Sequence, residues 1–309
     1  MGPAMNMVHT LCAICESDRW DRLFYPETLG DQAATAERFS ARRTPDRVHY
    51  QVVRCDNCGL LRSDPILSED ALLALYRGSH FDHPVESQFA AETYARYVSE
   101  IIPLLPDRDS LLEIGCGNGA FLKRALDLGF AEVSGVEPSR RSIECAPVGV
   151  RERILNEGFR DGLFRPGSFS MVCGFQVLDH LARPGEAVQA CRKVLKPGGV
   201  AFFLNHDAGA WTNRLLGSRS PIIDIEHIYL FDRKTISMLF ESAGFDVLRT
   251  FRVVDRHPLA YWLRLAPLPH WCSKPLIGSL NHVGLGGLPV AWKAGNLAIV
   301  ARRKPEDGE

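Results

Sequence analysis

Leu111-Leu112-Glu113-Ile114-Gly115-Cys116-Gly117-Asn118-Gly119 is an apolar run that breaks into three glycines at alternate positions. It reads as a strand entering a glycine-rich turn. A helix follows from Ala120 to about Leu128 and is closed by Gly129. Glycines let a backbone approach a ligand closely, and the helix N-terminus offers unpaired N–H groups. The next apolar stretch, Ala131 to Val136, ends in Glu137, 22 residues after Gly115. An acid at that place can accept hydrogen bonds from both hydroxyls of a ribose. From Ser110 onward strand and helix signals alternate, which predicts βαβ units and a mainly parallel, doubly wound α/β sheet.

These features alone fit two cofactors, because Gly115 to Ala120 also satisfies the dinucleotide pattern G-x-G-x-x-A. The surroundings decide. Glu113 stands two residues before the glycines, where a pyrophosphate binder gains nothing from negative charge. An acid there suits a ligand carrying an ammonium and a sulfonium. Lys196-Pro197-Gly198-Gly199 then makes a sharp turn between a helix and the strand Val200 to Leu204.

Taken in order, these motifs resemble those of class I S-adenosylmethionine-dependent methyltransferases. Glu113 to Gly119 is similar to their first motif and Gly135-Val136-Glu137 to their second. Ser168 to Val172 resembles the fourth strand, with Gln176-Val177-Leu178-Asp179-His180 and the Lys196 turn behind it. The resemblance spans about Ser110 to Leu204. It implies a Rossmann-like seven-stranded sheet whose last strand, Asn296 to Ala301, is antiparallel. It also implies that Glu113, Gly115, Gly117 and Gly119 form the turn around the methionine moiety and that Glu137 holds the ribose. Gly158 and Phe159 would lie beside the adenine, and Phe175 and Gln176 would close the pocket.

Ahead of this domain, Cys12-Ala-Ile-Cys15 and Cys55-Asp-Asn-Cys58-Gly59 form two C-x-x-C pairs. Each is a knuckle able to turn two thiolates onto one metal, and the four together predict a closed structural zinc site. The 39 residues between Cys15 and Cys55 exceed the usual ribbon spacing of roughly 15–20. The polar stretch Asp31 to Asp46 is therefore expected to loop out. Redox pairs, an iron centre or unrelated buried thiols are the other readings of the four cysteines. The expected organisation is a zinc-binding module over 1–65, a helical linker and pocket cover over 66–109, and the methyltransferase domain over 110–309. Within the last, 256–295 is an apolar insertion containing Trp262, Leu265, Leu268, Trp271, Leu276 and Leu280. It reads either as a helical flap packed on the core or a second subunit, or as a lid over a hydrophobic or lipid-linked acceptor.

Composition narrows the partners. Of 309 residues 24% are charged and the net charge is −1, so the balance as a whole does not point to nucleic acid, whose phosphates call for a basic footprint. Between Phe251 and Lys304, however, eight Lys and Arg stand against Asp255 alone. That local field would favour an anionic or nucleotide-linked small-molecule acceptor; scattered solvated charges are the plainer reading. Met1 to Thr10 has no secretory h-region, and Pro275 to Trp292 is too broken by Gly and Pro to span a bilayer. The cytoplasm is the expected compartment, where the cysteines stay reduced.

A paired-knuckle module before such a core resembles methyltransferases of sugars and small metabolites, including C-methyltransferases of nucleotide-linked deoxysugars. Asp224-Ile225-Glu226-His227 looks like the Glu-His pair those enzymes use near substrate. They carry a further C-terminal domain, for which this sequence leaves no room, so O-methylation of a sugar or specialised metabolite is the leading expectation. C-methylation of a nucleotide sugar is the alternative. A zinc-ribbon methyltransferase modifying RNA or protein, and an NAD-dependent oxidoreductase, are the readings from other classes. A hydroxyl acceptor needs a base poised near neutral pH. His227 is the first candidate, with Glu226 as its orienter or a substrate contact, and His180 is the next. Cys116 has nothing beside it to activate a thiolate and reads as a small filler.

Overall fold

In a computed structural model of the chain, residues 6–30, 39, 47–78, 84–265, 270–293 and 295–304 are described. The main sheet has seven strands: β1 (Ser110–Ile114), β2 (Glu132–Val136), β3 (Ile154–Leu155), β4 (Phe169–Phe175), β5 (Leu195–His206), β6 (Phe245–Arg252) and β7 (Asn296–Arg303). They lie in the order β6-β7-β5-β4-β1-β2-β3. The first five are parallel, and β7 runs antiparallel to both β5 and β6. This is the Rossmann-like, doubly wound sheet the glycine turn implied. Every residue of β4 is buried, as expected of a central parallel strand covered on both faces.

Helices supply the two covers. One face takes α4 (Pro184–Val194) and α5 (Arg233–Ser242), whose Val188, Cys191, Ile236, Leu239 and Phe240 join one core. The other face takes α2 (Pro84–Ile101) and α3 (Ala120–Asp127), with Val98, Ile101, Phe121 and Leu122 in a second core. Large side chains buried this completely each contribute roughly 1.5–3 kcal/mol. Helix α5 begins at a capping box in which Asp232 and Thr235 exchange hydrogen bonds, and this fixes where the chain leaves the sheet's upper edge. The Lys196 turn lies inside β5 as a register break between Leu195 and Val200. There the Lys196 ammonium donates to Asp107 and Asp109, both at 2.9 Å.

The N-terminal residues build a four-stranded antiparallel sheet from Asp21–Tyr25, Val52–Cys55, Leu61–Ser63 and, from far along the chain, Tyr229–Leu230. Arg62 anchors it. Its fully buried guanidinium grips Asp21 through two nitrogens and donates to the Thr10 hydroxyl and carbonyl. Helix α1 (Glu69–Gly78) then leads towards the sheet. The loop expected over Asp31 to Asp46 lies outside the described residues apart from Phe39.

The 256–295 insertion is a hairpin of Asp255–Pro258 with Pro289–Trp292, bracketing α6 (Leu259–Leu265) and α7 (His270–His282). The Trp262 indole donates to the Val290 carbonyl, and Arg264 pairs with Glu86 of α2 at 3.0 Å. Leu268 and the side chains of Leu265 and Trp271 lie outside the described residues. No helix among the described residues is long and apolar enough to cross a membrane.

Candidate active site

The parallel strands end at one edge of the sheet, and the glycine turn sits there over β1. Gly115, Gly117 and Gly119 all adopt positive φ, +67°, +53° and +67°. A Cβ on Gly119 would lie 2.7 Å from Val150, so that glycine is a packing requirement. At Gly117 nothing lies within 4 Å of the place a Cβ would take, which leaves an open cradle above the turn. The Glu137 carboxylate reaches back into the turn: Gly117 N donates to it at 2.9 Å and Ser139 N at 2.8 Å. Asn156 holds the next loop to the Glu137 backbone at 3.0 Å, which brings Gly158 and Phe159 alongside. Gly158 faces Leu73 of α1, and Phe159 packs against the core there.

Glu113 is 4% exposed, and its Oε2 has no hydrogen-bond partner. Burial, then the charge on Glu137, pushes its pKa well above the carboxylate range. Gln176 is held at φ +57°, a conformation costing a non-glycine residue roughly 1–3 kcal/mol, and its Oε1 is likewise unsatisfied. Two buried acceptors without donors at the ends of β1 and β4 fit the ammonium and hydroxyl groups of S-adenosylmethionine. Phe175 is buried, stacked 4.0 Å from Tyr94 of α2 and edge-on to Phe121. It thereby joins the cover helix to the sheet beneath the turn.

Beyond the ends of β4 and β5 lies a second constellation. His180 follows β4, His206 ends β5, and His227 arrives on the segment before α5. The rings of His180 and His206 each sit 4.7 Å from that of His227. The His227 Nδ1 donates to Asp224 Oδ1 at 2.8 Å. The buried Asp179 carboxylate accepts from Asn205 at 2.9 Å, and the Tyr76 hydroxyl of α1 meets His180 Nδ1 at 3.0 Å. Burial opposes charge on His227, but Asp224, Asp179 and Glu226 outweigh it and push its pKa up to about 9. Burial and the neighbouring His227 push His206 down to about 4, and burial lowers His180 as well. Asp179 is held below the usual carboxylate range despite its burial, chiefly by His180 and His206.

Cys12, Cys15, Cys55 and Cys58 come together at the tip of the N-terminal sheet, every sulfur within 4.8 Å of the others. Cys12 and Cys58 are 3.4 Å apart, Cys15 and Cys55 3.9 Å. A tetrahedral zinc with bonds of about 2.3 Å needs sulfurs about 3.8 Å apart, so the group fits a four-thiolate metal and not a pair of disulfides.

The expected site residues thus fall into three groups: the turn with Glu113 and Glu137, the histidine cluster, and the four cysteines. In the position expected for Glu226, Asp224 holds the His227 ring; Glu226 is buried beside it. Tyr76, Asp179, His206 and Asp224 were not singled out from sequence. For His206 a signal existed: a histidine closing an apolar strand at the edge where open α/β sheets bind ligands.

A sheet of this order with a glycine turn at its parallel edge defines a class I S-adenosylmethionine-dependent methyltransferase domain. The family model described as "Methyltransferase domain" matches residues 86–250, more than half of the chain, and the protein belongs to that family. It is 36% identical over 99 residues to a ubiquinone biosynthesis O-methyltransferase of Caulobacter vibrioides, covering 30% of this chain and 39% of the relative. To the enzyme of the same name from Paracidovorax citrulli it is 29% identical over 181 residues, 53% of this chain and 73% of the relative. Among solved structures, the YcgJ protein from Bacillus subtilis shares the fold with a TM-score of 0.51 at 16% identity. That match covers 70% of this chain and all of the other.

Proposed function

We propose that the protein transfers the methyl group of S-adenosylmethionine to an oxygen of a small molecule. The observation that carries this reading is the apposition of two half-sites on one sheet edge: an acid-flanked glycine turn, and a cluster of three histidines. The O-methyltransferase relatives support oxygen as the acceptor atom. Methyl transfer is an in-line displacement at a sulfonium, so the protein's part is alignment and a path for the acceptor's proton. Glu137 holds the ribose, Glu113 and Gln176 satisfy the polar groups of the methionine end, and Gly117 leaves room for the chain. The acceptor hydroxyl reaches the His180 ring, which burial keeps neutral, and its proton leaves there, beside the charged His227.

A groove of about 670 Å³ is lined by Arg214, Arg233, Lys234 and Arg252 against the acids Asp207 and Asp232, with Arg252 paired to Asp207, so that the basic side chains are in excess. It suits a phosphate or other anionic portion of a sugar or specialised metabolite. Cys12, Cys15, Cys55 and Cys58 hold a structural zinc in the reducing compartment that four free thiols require. Titration calorimetry tests the reading: S-adenosylmethionine binds and NAD does not, and Glu137→Ala weakens binding by ~1–3 kcal/mol, the scale of a charge-assisted hydrogen bond. Tight NAD binding without S-adenosylmethionine binding overturns it.

A further inference from the structure

The histidine cluster holds its imidazoles in one particular way. The Asp224 carboxylate can only accept, so His227 Nδ1 carries a proton towards it. Asn296 donates through Nδ2 to Asp255 at 2.9 Å, which turns its Oδ1 to His206 Nδ1 at 3.0 Å and fixes that proton too. Once each ring is neutral, as a metal ligand must be, its lone pair is therefore on Nε2. The third member, Asp179, is oriented by Asn205 at 2.9 Å and by the His206 amide. One ligand atom from each of Asp179, His206 and His227 lies within 4.8 Å of those of the other two. Two imidazole nitrogens and one carboxylate, each ring tied by its other nitrogen to a hydrogen-bonded oxygen, is the outer-shell pattern that presents ligands to a metal.

From this geometry we infer that His206, His227 and Asp179 bind a divalent first-row transition-metal ion at the acceptor end of the pocket. Imidazole and carboxylate ligands suit zinc, iron or cobalt. Bonds of about 2.1 Å set ligand atoms about 3–4 Å apart, so the three close on the ion by small side-chain movements. Asp179 and His227 are buried and His206 only partly so, which leaves the ion's approach on the His206 side. The site is separate from the four cysteines and softer-ligand chemistry. Its role rests on the proposed O-methyl transfer. The ion binds the acceptor oxygen and makes its O–H more acidic. The O–H bond breaks and the proton passes to solvent. The oxygen then forms the O–CH₃ bond as the C–S bond breaks, its electron pair staying on sulfur to give a neutral thioether.

Loading the full-length protein with Co²⁺, followed by desalting and elemental analysis, tests the site. Wild type should retain one equivalent more than His206→Gln or Asp179→Asn. The extra equivalent should show visible d–d bands without the sulfur-to-cobalt charge transfer of the cysteine site. Asn296→Ala, which removes the contact that orients His206 together with the bond to Asp255 but no ligand atom, should weaken that equivalent by about 10–100-fold. S-adenosylmethionine binding is measured on the same samples and shows that each variant is folded. Equal cobalt retention by wild type and variants that all bind S-adenosylmethionine overturns the ion site. Failure of wild type to bind S-adenosylmethionine overturns the methyl-transfer reading, whatever the metal count.

Discussion

Gly135 of β2 has no side chain because Cys116 occupies the space. A Cβ there would fall 2.5 Å from the Cys116 sulfur and 2.8 Å from Leu122. Cys116 is thus the filler its surroundings suggested, packed over its neighbour strand. Burial, then Glu113 and Glu137, push its thiol well above the ordinary range. In the folded protein it should resist iodoacetamide, as peptide mass analysis can check. Gly135→Ala should cost about 1–3 kcal/mol by overpacking and weaken S-adenosylmethionine binding through the displaced turn, read by thermal melts and calorimetry. Asp107 offers a pH test away from the site. Burial opposes its ionisation, but Ser170, the Asp109 amide and Lys196 outweigh this and lower its pKa to about 2. A depressed carboxylate stabilises the fold above its ordinary pKa of about 4 and loses that contribution as pH falls towards 2. The group is a third exposed, so after solvent screening about 1 kcal/mol is at stake. Asp107→Asn should therefore melt about 2 °C lower at pH 6, with the gap closing by pH 2. Single residues were legible where backbone chemistry dictates them, as with the three glycines. The orienter of His227 was not: Asp224 and Glu226 are both acids within three residues, and only the path of the chain decides which one meets Nδ1.

The two-residue strand Tyr229–Leu230 joins the histidine cluster to the cysteine module. It pairs with Leu61–Ser63; the Ser63 amide donates to the Ile228 carbonyl at 2.7 Å, and the Ser63 hydroxyl to the His227 carbonyl at 3.3 Å. The Tyr229 hydroxyl donates to the Leu11 carbonyl, one residue from Cys12. The segment bearing His227 is therefore an edge of the module's own sheet. If the cysteines hold the proposed zinc, Cys55→Ser should release that edge as well as the metal. Hydrogen exchange should rise over 225–231, turnover should fall sharply, and S-adenosylmethionine affinity should stay within a few fold. Unchanged exchange over 225–231 in metal-free variant protein would count against the coupling. Nothing in the sequence marks this strand, since two residues carry no period. The two C-x-x-C pairs were plain because their spacing alone constrains the thiols. Helix α2 was legible in part: it falls inside the helical linker expected over 66–109, but a 3-10 turn at Ile102–Leu104 ends it.

The molecule as a whole is a sheet with covers on both faces and an added flap on α2. The hairpin ends of that flap already meet, Pro258 opposite Pro289, so residues 259–288 can be replaced by a short turn without straining the sheet. S-adenosylmethionine affinity should survive this replacement within about threefold by calorimetry, because Arg264 and His257 rest on α2 at Glu86 and Phe89, while the turn's Asn118 is met by Ser87 of α2 itself. A tenfold loss would show that the flap shapes the cofactor pocket. The seven-stranded sheet with its antiparallel last strand followed from the resemblance that the ordered motifs carry; the flap's packing did not follow, since its apolar residues have no single period. The place of β7 between β5 and β6 has one more consequence, for synthesis. While a ribosome makes this chain, β5 and β6 emerge with a vacant lane between them, and residues 296–303 must thread in after both. Until then Val200 to Leu204, all buried in the finished fold, present an open edge to other nascent chains. Chaperone capture of stalled chains should thus persist past residue 252 and end only once 303 has cleared the exit tunnel.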